Sequence, residues 1–504
     1  MNFIDNFLNR ITMYRLVLQY LIVLVVAAIF FSFFGILSYN PADLVFSTLI
    51  ILTACWGTNV VFATTFGAEK NVESVYITGL ILALIISPVA YTNYAGIGFL
   101  IFASVWAMAS KYIFAIGRKH IFNPAAFGVA LSMYVLNQSA TWWVSGSLAL
   151  LPFVIVGGLL VVRKIRRLDM VVAFSIVALT TIVATSPSAG VLTPVMQTLQ
   201  HSSFFFLALV MLTEPLTMPP NRTLRILYGT IVGFLFAPSI HLGSFYFTPE
   251  LALLVGNIFV YIVSPKGRFM LTLIGKNKIA DATYEFVFMP DRKMSFKPGQ
   301  YLEWTLGHKF SDNRGNRRYF TIASSPTENT VRLGVKFYAP ESSFKRTLWS
   351  MSANDVVSAS HIAGDFVLPR DKKKKLVFIA GGIGVTPFRS MVQYLIDTKD
   401  PRSVVLLYSN KTAAEIAYKD VFDRAQREIG MKTVYALTDE PVPMPGAFSG
   451  FIDGALIARE IPDFRERTFY LSGPHGMVTA FEKTLRNMGV SRFNIKTDYF
   501  PGFA

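Results

Sequence analysis

An arginine, a flat ring and a hydroxyl stand in close succession at Arg318-Tyr319-Phe320-Thr321, shortly after the turn-forming stretch Lys297-Pro298-Gly299-Gln300-Tyr301. A guanidinium suits a phosphate, a flat ring suits another flat ring, and a hydroxyl suits a ring nitrogen. Farther on, the apolar run Leu376–Ala380 leads into Gly381-Gly382-Ile383-Gly384-Val385-Thr386-Pro387 and a helical pattern to about Ile396, followed by a second apolar run, Val404–Tyr408. Strand, glycine turn, helix and strand in that order make a βαβ unit. Its glycines let a backbone approach a diphosphate, and the helix N-terminus offers free amides and a favourable dipole. A glycine cluster alone also describes a tight turn without a ligand. The arginine–ring–hydroxyl segment upstream is what turns it into half of a cofactor site.

These residues need a scaffold, and its pattern is legible from Phe269 onward. Short alternating segments, among them Thr283–Phe288 and Val331–Phe337, read as strands of an antiparallel β-barrel over 269–370. The βαβ pattern then gives an α/β dinucleotide-binding domain over 371–504. Ser409 and Lys411 follow its second strand, where a 2′-phosphate could be met. The run Lys372–Lys375 reads as a solvated linker. His308, His361 and His475 have no ligand spacing, and no metal is expected.

Together these segments resemble the ferredoxin–NADP reductase superfamily, whose flavin motif is Arg-x-Tyr-Ser/Thr. The resemblance covers nearly all of 269–504 and extends to Gly364-Asp365-Phe366, Ser472-Gly473-Pro474-His475-Gly476-Met477 and Asp498-Tyr499-Phe500. It implies a flavin, FAD or FMN, with Arg318 on its phosphate, Phe320 against the isoalloxazine and Thr321 near N5, with Tyr319 inside the motif. It implies a second phosphate-binding turn at Ser342-Ser343-Phe344-Lys345. It places Gly381, Gly382, Gly384, Thr386 and Pro387 on the nicotinamide dinucleotide, and Ser472, Gly473 and Pro474 beside the nicotinamide. Thr321 and Ser472 are then the candidates closest to the chemistry. Two departures stand out: Phe320 where the family usually has Tyr, and Ser472 where it often has Cys. Neither removes hydride transfer, which the cofactors carry.

The other half of the chain is written for a different solvent. Of 504 residues only 15% are charged and 53% are hydrophobic, and the deficit of charge lies before residue 269. Uncharged runs occupy Leu16–Ala42, Leu44–Ala68, Ser74–Ser110, Ile121–Val162, Met170–Thr213, Ile226–Pro249 and Leu251–Pro265. A spanning helix needs about 20 apolar residues, so the three longest runs each hold two helices. Turn residues break them at Ser87-Pro88 with Asn93–Gly96, at Asn137-Gln138-Ser139 and at Ser186–Gly190. A polytopic α-helical membrane domain of about ten helices over 1–268 follows, its first helix read as a retained span. Residues 1–268 carry fourteen Lys and Arg, and with ten helices all of them fall on one side. Basic loops resist translocation, so both termini and the reductase domain are expected in the cytoplasm, beneath an inner or cytoplasmic membrane. The same bias accounts for much of the net charge of +16, and no nucleic-acid motif is present.

Cys55 is the chain's single cysteine, which excludes an internal disulfide and a four-cysteine iron–sulfur cluster. His120, His201 and His241 are the only histidines before residue 269, too few to pair across two haems. Lys119-His120-Ile121-Phe122-Asn123-Pro124-Ala125-Ala126-Phe127-Gly128, Thr78–Leu84 and Leu212-Thr213-Glu214-Pro215-Leu216-Thr217 resemble membrane subunits shared by the sodium-translocating NADH:quinone reductase (its B subunit) and the Rnf complex (its D subunit). Asn123-Pro124 and Glu214-Pro215 are expected to interrupt helices beside a cofactor or cavity, with a place in a cytoplasmic loop near Arg222 equally open for Glu214. Those subunits hold FMN covalently on a Ser-Gly-Ala-Thr threonine. Here the matching segment is Ser145-Gly146-Ser147-Leu148, beside Trp142 and Trp143, which reads as an interfacial helix start. Any second flavin in the membrane domain is therefore expected to be non-covalent.

The sequence thus predicts a membrane-bound FAD-dependent NAD(P)H oxidoreductase that passes electrons to quinone, a second flavin or a partner redox protein. The alternative is an ion or solute transporter regulated by its reductase domain.

Overall fold

The computed structural model describes residues 4, 7–8, 11–67, 72–116, 119–186, 190–264, 268–308, 312, 316–440 and 447–500, with the backbone alone at 119, 499 and 500. Part of the predicted Ser186–Gly190 turn, and Arg10, Lys70, Arg118 and Lys266 of the charge pattern, lie outside the described residues. The chain forms two compact units, Met1–Gly267 and Arg268–Ala504.

The first unit is helical: α1 Met13–Phe33, α2 Pro41–Thr65, α3 Val72–Ile85, α4 Tyr94–Ile113, α5 Pro124–Leu136, α6 Leu151–Ile165, α7 Leu168–Ala184, α8 Leu192–His201, α9 Arg222–Leu235 and α10 Pro249–Val263. Between α8 and α9 a short helix, Phe204–Phe206, widens into a π turn at Leu207–Met211. Among the described residues three helices, α1, α2 and α4, are long and apolar enough to cross a membrane, and α3, α5, α7 and α10 are shorter apolar helices. Local chemistry sets the starts. Asn40 and Asn123 cap α2 and α5 through side-chain bonds to the Ala42 and Ala126 amides, each with proline at the first helical position.

Proline therefore starts α5 rather than interrupting it. The amide of Asn123 is satisfied by the Asn257 side chain at 2.7 Å. Glu214 lies where the widened helix ends and a 3-10 turn, Pro215–Thr217, begins.

Glycines let the helices approach closely. A Cβ on Gly233 of α9 would stand 2.6 Å from the Phe174 carbonyl of α7. Outward faces are as apolar as the core: Val26, Phe30 and Phe33 of α1 are 59%, 56% and 76% exposed. Trp142 and Trp143 are buried within the helical unit. Trp143 Nε1 donates to the Ala83 and Ile86 carbonyls, closing the C-terminal end of α3, and Trp142 Nε1 donates to Glu250.

The second unit contains two six-stranded sheets. The first comprises β1 Phe269–Ala280, β2 Thr283–Pro290, β3 Tyr301–Thr305, β4 Arg317–Thr321, β5 Val331–Lys336 and β6 Val356–Ala363, with helix α11 Ser343–Ser350 between β5 and β6. Its order is β4-β3-β6-β1-β2-β5, antiparallel throughout. The sheet curls until its edges meet, and the Ala323 amide just past β4 donates to the Arg332 carbonyl of β5 at 2.9 Å. Leu271, Phe286, Phe288, Leu302, Trp304 and Leu333 fill the interior.

The second sheet is parallel, built from β7 Leu376–Gly381, β8 Val404–Asn410, β9 Lys432–Leu437, β10 Ala447–Ser449, β11 Thr468–Pro474 and β12 Ile495–Phe500 in the order β10-β9-β8-β7-β11-β12. Helices α12 Thr386–Asp397, α13 Lys419–Ile429, α14 Gly454–Glu460 and α15 His475–Asn487 connect its strands. Every residue of β7 is buried, as expected of a strand covered on both faces.

Candidate active site

Alternation along β4 decides which of its residues meet. Arg318 and Phe320 share one face and converge on Phe344 in the first turn of α11. The guanidinium lies 5.3 Å from that ring's centroid, and the Phe320 ring lies 5.8 Å from it. Tyr319 takes the opposite face, where its hydroxyl donates to the buried Glu303 at 2.5 Å and its ring meets Tyr301 edge-on. The motif therefore splits, with Arg318 and Phe320 together and Tyr319 apart. Thr321 ends the strand opposite Tyr301 and is buried, and its Oγ1 has no hydrogen-bond partner among the described residues.

The Ser342 turn joins the same place. Ser342 caps α11 by accepting from the Lys345 amide, and Ser342, Ser343 and Lys345 are all buried. The Lys345 ammonium donates to the Lys336 carbonyl at 2.7 Å, beside the Tyr338 ring. Ser343 holds two residues that sequence alone does not assign to the site. Its hydroxyl bonds His308 Nε2 at 2.9 Å and accepts from the Asp312 amide at 3.0 Å, while its own amide donates to Asp312 Oδ2 at 2.9 Å. Asp312 Oδ1 also lies 3.5 Å from Arg318 Nη2. An anion, the Asp312 carboxylate, thus stands between Arg318 and the α11 N-terminus, and that position suits the charge of a phosphate.

The other half-site forms where the second sheet changes direction. The chain leaves β7 toward β8 but leaves β11 toward β12, so the turns after β7 and β11 diverge at a switch point of the kind that binds ligands in open α/β sheets. Helices α12 and α15 both start there without a side-chain cap.

The glycines divide their labour. Gly381, Gly384 and Gly473 pack against one another: a Cβ on Gly384 would stand 2.5 Å from the Gly473 Cα. Gly382, at φ +51°, opens onto space, and the Tyr408 hydroxyl fixes its carbonyl at 3.1 Å. Burial pushes the Tyr408 phenol well above its ordinary range, so it remains a donor. Thr386 and Pro387 begin α12, the Thr386 hydroxyl donating to the Ile383 carbonyl. Ser472 is fully buried on β11 beside Gly473 and Pro474, and its Oγ has no hydrogen-bond partner among the described residues. Ser409 lies half-buried in β8, one residue before its end, and Lys411 beyond the strand is exposed. Lys375 is paired to Asp463 and Glu466, as suits a solvated run.

The two half-sites touch. Ser390 Oγ of α12 donates to the Ser324 carbonyl, three residues past Thr321, at 2.7 Å. A Cβ on Gly334 of β5 would stand 2.6 Å from the Tyr418 hydroxyl, 2.9 Å from Thr386 Cγ2 and 3.4 Å from Ile383. A lone glycine within a strand pattern is the sequence signal for this close approach. His308 and Asp312 give no such signal, because a loop polar residue finds its partner only after folding.

The second unit is similar to known proteins. Residues 378–483 match the family described as "Oxidoreductase NAD-binding domain". Among curated relatives, a flavohemoprotein of Oceanobacillus iheyensis is 27% identical over 239 residues, covering 45% of this chain and 58% of that protein. The F component of the Na(+)-translocating NADH-quinone reductase of Serratia proteamaculans is 28% identical, covering 38% and 50%. NADH-cytochrome b5 reductase 2 of Gallus gallus is 28% identical, covering 44% and 81%. Similarity defines the class of the second unit: it carries an oxidoreductase NAD-binding domain over residues 378–483 and is similar to the reductases named above. The chain spans between half and three-fifths of the length of the flavohemoprotein and of the quinone reductase component.

Proposed function

We propose that this chain is a membrane-bound NAD(P)H oxidoreductase. Its second unit takes hydride from NADH or NADPH onto FAD, and its helical unit carries electrons onward to quinone, a second, non-covalent flavin or a partner redox protein. The observation that carries the reading is the pair of buried, unpartnered hydroxyls, Thr321 Oγ1 and Ser472 Oγ, one in each of two half-sites that touch. Native interiors rarely leave such groups unsatisfied, so each calls for a partner that the described residues do not supply. A flavin ring nitrogen and a nicotinamide are partners of the right chemistry.

A bound flavin supplies two-electron acceptance and one-electron release. The chain's part is orientation. Arg318 and the α11 amides would hold the flavin's phosphates once the Asp312 carboxylate gives way, and Phe320 would lie along the isoalloxazine. Thr321 would donate to N5, while Gly382 and the α12 N-terminus would take the dinucleotide's phosphates. Ser472 would face the nicotinamide, held close by the packing of Gly473 against Gly381 and Gly384. FMN would leave the second turn, Ser342–Lys345, without its adenylate, so flavin extraction and chromatography decide between the two.

The membrane reading rests on exposed apolar faces such as that of α1. It also rests on the one-sided distribution of Lys and Arg in residues 1–268. A ten-span unit resembling the B and D subunits, with the second unit cytoplasmic, satisfies both. The test is NADH- or NADPH-driven quinone or dye reduction by purified full-length protein, which Arg318→Ala should abolish. A wild-type protein that holds flavin but passes no electrons would favour the regulated transporter.

A further inference from the structure

One charged network in the second unit has no part in holding either cofactor as described above. Arg389 lies one turn into α12 after Thr386 and is only 5% exposed. Its fork grips both carboxylate oxygens of Glu328, Nη2 to Oε1 at 3.0 Å and Nη1 to Oε2, and Nη1 also donates to the Ala323 carbonyl at 3.1 Å. Glu328 Oε1 further meets Arg332 Nε at 3.0 Å, and Arg332 Nη1 reaches Glu285 Oε2 at 2.5 Å. Tyr418, at the start of α13, places its ring 5.8 Å from the Arg389 guanidinium. Two arginines and two glutamates thus form a neutral, largely buried cluster. Arg389 comes from the parallel-sheet half, and Glu328, Arg332 and Glu285 come from the curled-sheet half.

Stability alone is a weak reason for such a cluster, because a buried ion pair roughly breaks even against a well-packed apolar pair. What it supplies is geometry. Ala323 lies two residues after Thr321, and Arg389 three residues after Thr386, so the chain of contacts from one half-site to the other is short and stiff. An arginine fork fixes direction as well as distance, since it meets a carboxylate on two parallel bonds while still reaching a carbonyl. A lysine would keep the charge and lose the fork.

We infer that Arg389, acting through Glu328 and the Ala323 carbonyl, is a positioning residue that sets the approach of the nicotinamide half-site to the flavin half-site. The inference rests on the hydride-transfer reading above. A misplacement near 1 Å at a reacting centre lowers rate by about a hundredfold, so the signature is kinetic.

The experiment is anaerobic stopped-flow reduction of purified, flavin-loaded full-length protein by NADH or NADPH. It compares wild type with Arg389→Lys, Glu328→Gln and the double variant Arg389→Met with Glu328→Met, which removes both charges and keeps their bulk. All three are expected to hold flavin at wild-type stoichiometry and to be reduced by dithionite at the wild-type rate. The limiting rate of reduction by nicotinamide should fall about ten- to a hundredfold. The long-wavelength charge-transfer absorbance of the nicotinamide–flavin complex should weaken, with little change in half-saturating nicotinamide concentration. Wild-type rates in any flavin-loaded variant lacking the fork would overturn the inference. So would loss of flavin from all three, which would assign the cluster to fold integrity instead. A wild-type protein that binds flavin but is not reduced by either nicotinamide would sink the hydride-transfer reading itself, a separate outcome.

Discussion

Replacing Thr321 by Val should act in opposite directions on the flavin-free and flavin-loaded protein. The hydroxyl is buried and has no hydrogen-bond partner among the described residues, and an unsatisfied buried polar group costs about 1–3 kcal/mol. Valine keeps the shape and discards the polar atom. The flavin-free protein should therefore be as stable as wild type or more so, by up to about 1 kcal/mol at the low end of that range. This is a rise of about 2–4 °C in the melting temperature of a domain this size.

With flavin bound, the same substitution removes a hydrogen bond with a net value of about 0.5–1.5 kcal/mol. Affinity should fall roughly two- to tenfold, and flavin reduction should slow because N5 is the hydride acceptor. Calorimetric melting of stripped and reloaded full-length protein, together with flavin titration, reads both effects. Thr321→Ala serves as the control, because its lost methyl group destabilises both forms. If Thr321→Val lowers the stability of the stripped protein by more than about 1 kcal/mol, or binds flavin as tightly as wild type, the hydroxyl does not await a flavin.

Residues 268–504, expressed alone, should fold, bind flavin and reduce ferricyanide with NADH or NADPH; a folded fragment with no flavin absorbance after reconstitution would end the assignment. A fluorescent reporter after Ala504 should be active and an alkaline phosphatase fusion there inactive, whereas strong phosphatase activity would mean an odd number of spans. A denaturing gel under ultraviolet light should show no flavin bound covalently to the chain; a fluorescent full-length band lost in Ser147→Ala would contradict this. The Arg467 guanidinium, with Lys375 assisting, holds the Asp463 carboxyl down at about 2. Its contribution is complete above the ordinary carboxylate value, about 3.9, and is lost as pH falls from there toward 2. Solvent screening limits that contribution to about 1 kcal/mol or less. Acid unfolding of the fragment should therefore shift to higher pH with Arg467→Gln, and an unchanged midpoint would remove the pair from the acid response.

Local chemistry made much of this protein legible in sequence. A strand, a glycine turn and a helix start are encoded within a dozen neighbouring residues, so Leu376–Asp397 could be read directly. Helix breaks in the first unit were marked by Ser87-Pro88 and Asn137-Gln138-Ser139, because turn residues act where they stand. Other features depended on which residues the fold brings together. The period-2 alternation of β4 sent Tyr319 to Glu303, away from Arg318 and Phe320, and required the strand's exact register. Proline at residue 124 breaks a helix in a continuous reading, but it starts one once Asn123 caps the turn and Asn257 satisfies its amide.

Trp142 and Trp143 carry the composition of an interface anchor, and their polar partners are set by the fold: the Trp143 indole N–H, buried beside open carbonyls, closes the end of α3, while that of Trp142 reaches Glu250. His308, Asp312 and Arg389 owe their places to partners that are distant in sequence. Their side chains are ordinary for a loop or a helix, and only the curl of the first sheet against α12 turns them into an anion position and a tether between two half-sites. Sequence determined the chemistry available, through residue types in local patterns. Tertiary structure decided which of those groups share a site, because burial and register act over distances that sequence spacing does not encode.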